Sequence, residues 1–406
     1  MFAESAVVGS VGDIGRVNAA TVVRSLLRDG PIARTEVAER TGLTRATVTR
    51  ATAKLIDMGI VVEGEPIRSF GRPMIPIDLR AEHRLVVSIH VGVTLTRVGL
   101  VDVRGRIVQE RKRLHVTTEP AGLVDDVCRV AREMLAEHAQ DAEVIGVGAS
   151  IGGWVDTESG VVVRYTPLGW SDVPLVTMIA ERLHLPVMFD HMVRGMALSE
   201  MMFGSARDVR DFLQIYVGDV LGAASVDAGI IRRGPRGAAG SIDHLPVSGE
   251  STRTCSCGRR HCAQWLVTDR AVRDDAVALG LAAAGVTMDD LVASEDDGVL
   301  GLLDERARLL GEAVGLLIDF VNPSLLLLAG PQTRRPGFLA AFRSGLSVRS
   351  DHGGDLDLPV RIAGFGDSTP TPASAALCLD AYYRDPIGYL TALRASTVPT
   401  QEASAG

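Results

Sequence analysis

The chain has 406 residues, 46% of them hydrophobic and 23% charged, with a formal net charge of −8 at pH 7. That balance describes a soluble globular protein with room for more than one core, and it excludes an intrinsically disordered chain or one that coats nucleic acid along its whole length. No apolar run approaches the roughly 20 residues of a bilayer span, and MFAESAVVGSVGDIG lacks the basic start and apolar core of a secretion signal, so a cytoplasmic protein with no membrane partner is expected.

The charge is unevenly spread. Residues 1–80 carry 11 Lys and Arg against 9 Asp and Glu, and the remainder carries 31 against 41. A slightly basic head on an acidic body suits a small DNA reader joined to a sensing or catalytic body. Within the head, VNAATVVRSLLRD places Val17, Val22, Val23, Leu26 and Leu27 on one helical face, and Gly30-Pro31 stops the helix. ARTEVAERTG predicts a second short helix with Val37 and Ala38 inward, although Ala33 at its N-cap is a weaker choice than Ser or Thr. Gly42 makes a tight turn, and Thr44 caps a third helix, TRATVTRATAKLIDMG. Two short helices around a glycine turn form a helix-turn-helix pattern, and the strand–turn–strand reading of IVVEGEPIRSFGRPMIPIDL adds a wing.

The candidate DNA-binding residues are Thr44, Arg45, Thr47, Thr49, Arg50 and Lys54 on the third helix, where a recognition helix meets base edges and phosphates. Arg72, between Gly71 and Pro73, joins them on a rigid extended segment. A three-helix interaction module with a solvated charged face is the alternative for these 80 residues. From residue 81 onward strands alternate with helices, which is α/β architecture. Two glycine-bearing hairpins, around HVGVT and GDVLG, suggest two similar lobes facing a cleft.

TCSCGRRHCAQW places Cys255, Cys257 and Cys262 within eight positions, against two further cysteines in the chain. In a reducing compartment such a cluster is metal-binding, catalytic or incidental. Cys128 and Cys378 fall on apolar helix patterns and are expected in the core.

A winged head followed by GASIGGWVD, TPLGWSDVPL, RGAAGSIDHLPV and CSCGRRHC resembles the ROK family, which comprises repressors, open reading frames and sugar kinases. The resemblance runs from about residue 17 to about 385. It implies an actin-like, hexokinase-like ATPase fold behind the winged helix-turn-helix domain of residues 1–80. The ROK domain would span 81–406, with lobe one at about 81–190 plus 370–385 and lobe two at about 191–369. It also implies a structural zinc site of His244, Cys255, Cys257 and Cys262, since zinc favours four nitrogen and sulfur ligands. His261 stands where the family has glycine and is a rival ligand.

Kinase chemistry needs a carboxylate base, phosphate-cradling turns and a metal ion on the nucleotide. Against the family pattern, His90 replaces the aspartate of the first phosphate turn, Asp219 and Val220 alter the second, and Met192 stands at the base position. A shift of register would offer Asp190 instead, but the spacing to LSEMMFG opposes it. Ser241 and Gln264 replace sugar-contacting glutamates. The expectation is therefore a transcriptional regulator, a repressor of carbohydrate or secondary metabolism genes, with a non-catalytic body. It would bind a double-stranded DNA operator as a homodimer or homotetramer. A sugar or sugar-derived effector would meet Gly153, Trp154, Asp156, His191, Ser241, His244 and Gln264. The alternative is an ATP-dependent sugar kinase of the same family.

Overall fold

A computed structural model of the chain describes residues 11–66, 74–255, 257–349, 358–365 and 369–397. The head opens with a helix at Val11–Asp29, ended by Gly30 and by Pro31, which has no N–H to offer. Val22, Val23 and Leu26 are buried on its inner face. Val17, expected on that face, is 41% exposed, because the helix already starts at Val11 and its first turns run past the core of the head.

The helix Arg34–Thr41 buries Val37 and Ala38. Ala33 has no side-chain oxygen for its cap, and the Glu36 carboxylate compensates by accepting the Ala33 N–H at 3.0 Å, half of a capping box. Gly42 makes the left-handed turn at φ 73°. The third helix, Arg45–Asp57, is capped by Thr44, whose Oγ1 accepts the Thr47 N–H at 3.2 Å. It buries Val48, Ala51, Thr52 and Leu55 and leaves its other face to solvent. The strand Val61–Glu63 pairs antiparallel with Pro76–Leu79, which pairs in turn with Ile32–Ala33. Arg72, expected between the two wing strands, lies outside the described residues.

The remainder builds two five-stranded sheets of identical strand order. In the first, Arg84–Val91 is central. Antiparallel Leu95–Asp102 and then Ile107–Leu114 lie on one side, and parallel Glu143–Ile151 and then Val187–His191 on the other. In the second, Phe212–Val217 takes the central place. Leu221–Asp227 and Ile230–Ile231 flank it antiparallel, Leu325–Ala329 and Val360–Ile362 parallel. Each parallel step needs a crossover. Helices Pro120–His138 and Leu175–Leu183 supply it in the first sheet, Asp297–Val321 and Phe338–Arg349 in the second. Arg84–Val91 and Leu325–Ala329 are buried along their whole length, as strands covered on both faces must be.

The inner faces are covered by exchange. Helix Met192–Met202 follows the last strand of the first sheet but packs on the second sheet, and helix Pro370–Arg384 follows the last strand of the second sheet but packs on the first. The two helices pack on each other, and glycine permits the close approach of Pro370–Arg384 both to helix Met192–Met202 at Gly195 and to strand Glu143–Ile151 at Gly148. A Cβ on Gly148 would lie 1.9 Å from the Ser374 carbonyl oxygen, and one on Gly195 2.7 Å from that of Ala373. The head is fixed to the first sheet: Arg104 pairs with Asp78 of the wing strand and reaches the Leu26 carbonyl at 3.4 Å. Among the described residues no helix is long and apolar enough to cross a membrane.

Candidate functional site

Arg45, Thr49, Arg50 and Lys54 are all exposed on the third helix of the head, with Thr47 partly covered. The hydroxyls serve the helix itself. Thr49 Oγ1 donates to the Arg45 carbonyl at 2.9 Å, and the Thr44 and Thr47 hydroxyls meet at 2.9 Å in the cap. Lys54 lies 3.7 Å from Asp57. Arg45 and Arg50 form no ion pair among the described residues. The face therefore holds two uncommitted guanidinium groups beside a small antiparallel sheet, an arrangement suited to phosphates and guanine edges of a duplex.

The cysteine loop is drawn back onto His244 by a short antiparallel ladder. Gln264 N–H donates to the Asp243 carbonyl at 3.0 Å, Ala263 N–H to Leu245 at 2.9 Å, and Val247 N–H to His261 at 3.1 Å. Gly258, at φ 83°, closes the turn between Cys257 and Cys262. One donor atom each from His244, Cys255, Cys257 and Cys262 lies within 4.8 Å of all the others. A tetrahedral zinc with bonds of about 2.0–2.3 Å would set its ligands roughly 3.3–3.8 Å apart, so the four residues fit a metal ion. His261 is outside this group. The Arg259 backbone N–H draws the Cys257 thiol down to about 6, whereas burial pushes Cys262 up to about 12. Gln264 Nε2 stands 3.0 Å from Cys255 Sγ and 3.5 Å from His244 Nδ1, against the ligands rather than in open space.

A cavity of about 230 Å³ opens between the two sheets. His90, Arg97 and Lys112 line it from the first, Tyr165 from the strand Val161–Tyr165 of a small separate sheet, and Tyr216, Asp219, Val220 and Asp269 from the second half. Met192 and Pro370, the first residues of the exchanged helices, form its floor. Both degenerate phosphate turns thus meet at one cavity.

The expected effector residues lie elsewhere, and none borders this cavity. Trp154 Nε1 donates to the Arg236 carbonyl at 2.8 Å, the Arg236 guanidinium sits 5.2 Å from the indole centroid, and Asp156 is 4.0 Å from Arg236 Nε. A Cβ on Gly153 would fall 2.4 Å from the Arg164 carbonyl oxygen. His191 caps the helix Met192–Met202, its Nδ1 accepting the Val193 N–H at 3.2 Å, and burial holds its pKa down to about 4. Ser241 is exposed. Asp190 is 1% exposed and engaged: Oδ1 accepts Arg194 Nε at 2.6 Å and Oδ2 accepts Arg233 Nε at 2.9 Å. Arg194 in turn donates to the Gly237 and Ala239 carbonyls at 3.0 Å each.

Residues 22–62 match a family of winged helix-turn-helix DNA-binding domains, and residues 86–380 match the ROK family. The chain belongs to the ROK family. The xylose repressor of Bacillus subtilis is 24% identical over 375 residues, covering 91% of this chain and 96% of that protein. The crystal structure of a ROK family transcriptional regulator, a homologue of the Escherichia coli Mlc protein, superposes with a TM-score of 0.78 at 22% identity over 94% of this chain and 99% of that one. A ROK family glucokinase from Streptomyces griseus, in complex with glucose and AMPPNP, has a TM-score of 0.62 at 24% identity over 72% of this chain and 98% of that one.

A winged head joined to a ROK body in one chain is a DNA-binding transcriptional regulator of this family. Several residues that shape the ROK domain went unrecognised in the sequence. Arg194, Arg233 and Arg236 are among them, and so are Tyr165 and Asp269 of the cavity. Each acts on segments far away in the chain, and no local spacing announces them.

Proposed function

We propose that the protein is a repressor that binds an operator in double-stranded DNA as a homodimer or homotetramer, in the cytoplasm. Its ROK body receives a small effector and does not phosphorylate it. The observation that carries this reading is the solvent-facing side of helix Arg45–Asp57, with Arg45 and Arg50 uncommitted. Such cations release counterions from DNA on binding and can read guanine bidentately. The test is fluorescence anisotropy of the full chain on fragments recovered by genome-wide occupancy. Equal affinity for recovered and random fragments would sink it. The B. subtilis relative is named for xylose, so pentoses and their relatives head the effector panel.

Zinc is the metal that fits the donor set best, since three thiolates and an imidazole form a closed tetrahedral site. With no open position its role is to brace the loop from Ser241 to Gln264. Loss of metal on chelation, followed by a drop in melting temperature, is the check.

Phosphotransfer is disfavoured by the same cavity. The Met192 thioether takes no proton, and the carboxylate two residues before it, Asp190, is held by Arg194 and Arg233. Asp219 repels a phosphate at the second turn. Turnover of ATP with any hexose or amino sugar at ordinary enzyme rates would restore the kinase reading.

A further inference from the structure

Three side chains lining the cavity are more than nine-tenths buried, and each keeps a hydrogen-bonding atom without a protein partner among the described residues. None of these three atoms is sealed off from the cavity, so each is open to hydrogen-bond a ligand that enters it. The first is His90. Ser374 Oγ donates to the Pro370 carbonyl at 2.9 Å, so the hydrogen between Ser150 and Ser374, 2.6 Å apart, belongs to Ser150. The hydrogen between His90 Nδ1 and Ser150 Oγ, 3.0 Å apart, then belongs to the imidazole. His90 Nε2 is left as an acceptor.

The second is Asp269. Its Oδ1 accepts Gln332 Nε2 at 3.1 Å, and its Oδ2 has no donor. Burial, with Asp219 nearby, raises its pKa to about 7 against the opposing pull of Gln332, Arg273 and Arg334. The third is the Tyr165 hydroxyl, with Tyr216 close by. Asp219 gives one oxygen to Arg273 at 2.8 Å and adds its other to the side of the cavity that Asp269 lines. Across the cavity the first sheet presents Arg97, held by Glu110 at 3.0 Å, and Lys112, which has no ion pair among the described residues. The second half therefore contributes the carboxylates Asp219 and Asp269, and the first sheet contributes the cations Arg97 and Lys112, with the His90 acceptor beside Arg97 on that same sheet. No ion pair joins them.

We propose that the cavity binds a small zwitterion of the amino-acid class, its ammonium group received by Asp219 and Asp269 and its carboxylate by Arg97 and Lys112. An ammonium has three donors and no acceptor, matching the two carboxylates of the second half. A triphosphate meets Asp219 and Asp269 and is repelled, and a neutral sugar leaves the opposed charges unmatched. The proposal deepens the effector reading and rests on it for its regulatory meaning. The binding site itself does not depend on DNA.

The full chain is probed in phosphate buffer by thermal melting and calorimetry with the proteinogenic α-amino acids one by one, with methylammonium, succinate, xylose, glucose and magnesium ATP. At least one amino acid should raise the melting temperature where methylammonium and succinate, each half of the charge pattern, do not. Asp269→Asn and Arg97→Gln should each weaken that amino acid by about 10–100-fold, and Tyr165→Phe by about 5-fold. Tyr165→Phe removes a hydroxyl that no protein group holds, so its melting point without ligand should stay at the parent value. The proposal fails if no amino acid binds, if ATP or a sugar binds in its place, or if both charge variants bind the amino acid normally. Amino-acid binding that leaves operator affinity unmoved upholds the site and removes the effector reading alone.

Discussion

The Arg84 guanidinium donates to the Gly59 carbonyl at 2.6 Å, and so ties the first strand of the body to the end of helix Arg45–Asp57. The same side chain, 4% exposed, donates to the Met58 carbonyl at 2.9 Å and to Glu143 at 3.1 Å. The strand that starts at Arg84 ends at Val91, just past His90 in the cavity. Helix Pro370–Arg384 makes the same journey: Pro370 lines the cavity, and the Tyr383 carbonyl accepts Arg24 of the head at 3.5 Å. Two rigid elements therefore run from the cavity to the head, the strand to the end of helix Arg45–Asp57 and the helix to Val11–Asp29, which gives a change in the cavity packed routes to the head.

Arg84→Met keeps the bulk of the side chain and removes its donors. It leaves two helix-end carbonyls without partners and should cost about 2–3 kcal/mol in urea unfolding. It should also flatten the response of operator affinity to effector, read by repeating the DNA titration with and without ligand.

Arg45→Ala and Arg50→Ala should each weaken operator binding by about 5–150-fold, the range of one guanidinium contact. A residue on phosphate lowers the slope of affinity against salt by about 1, whereas one on a base edge leaves most of the slope and relaxes sequence choice. Lys54→Ala should matter less, because Asp57 already shares its charge.

His244→Ala should strip the metal from the chain, measured by elemental analysis of purified protein, and lower its melting temperature. His261→Ala should retain one ion per chain, since His261 stands outside the donor group. The reverse outcome would assign His261 as the fourth ligand.

His90 packs beside Arg97 and His191, and burial holds its pKa down to about 3. Below about pH 6.5 the unfolded imidazole binds a proton that the folded one refuses. Its contribution is complete above that pH and is lost as pH falls toward 3, by up to about 1.4 kcal/mol per pH unit. His191, held near 4 between Arg194 and Asp190, acts with the same sign. Asp269, raised to about 7 next to Asp219, acts with the opposite sign and loses its contribution as pH rises through 7. Urea titrations from pH 8 to 4 should show a shallower acid-side loss in His90→Asn than in the parent chain.

Gly148→Ala would drive a methyl into the Ser374 carbonyl and should cost at least about 2 kcal/mol. Gly301→Ala, on an exposed turn of helix Asp297–Val321 with nothing within 4 Å, should stabilise by about 0.5–1 kcal/mol. Thermal melts of the pair separate close packing from helix propensity.

Features written over short stretches were legible. Thr44 and Gly42 bracket a helix-turn-helix because caps and left-handed turns are local chemistry, and the spacing of Cys255, Cys257 and Cys262 puts three thiols on one loop, which left metal-binding, catalytic and incidental readings open. His244 needed the family pattern, because the ladder that returns it is closed by backbone groups any residue could supply. Val17 misled because periodicity gives a face but not the point where the core ends. The cavity was hidden for a different reason. Tyr165, Tyr216 and Asp269 come from separate segments, and what makes them a group is the position of two sheets. Trp154 and Asp156 were read as effector-binding, and the contact of Arg236 with both is a long-range feature that no local spacing announces.

The exchanged helices also set a schedule for biosynthesis. The first sheet has all its strands once His191 has been made, yet the helix that seals its inner side emerges roughly 180 residues later, a wait of roughly 10–40 s at 5–20 residues per second. During that interval the nascent sheet exposes an oily flank to the ribosome exit and to other chains. Chaperone demand during translation, and failure of a fragment ending near residue 190 to stay in solution unless the missing half is supplied in trans, follow from that delay.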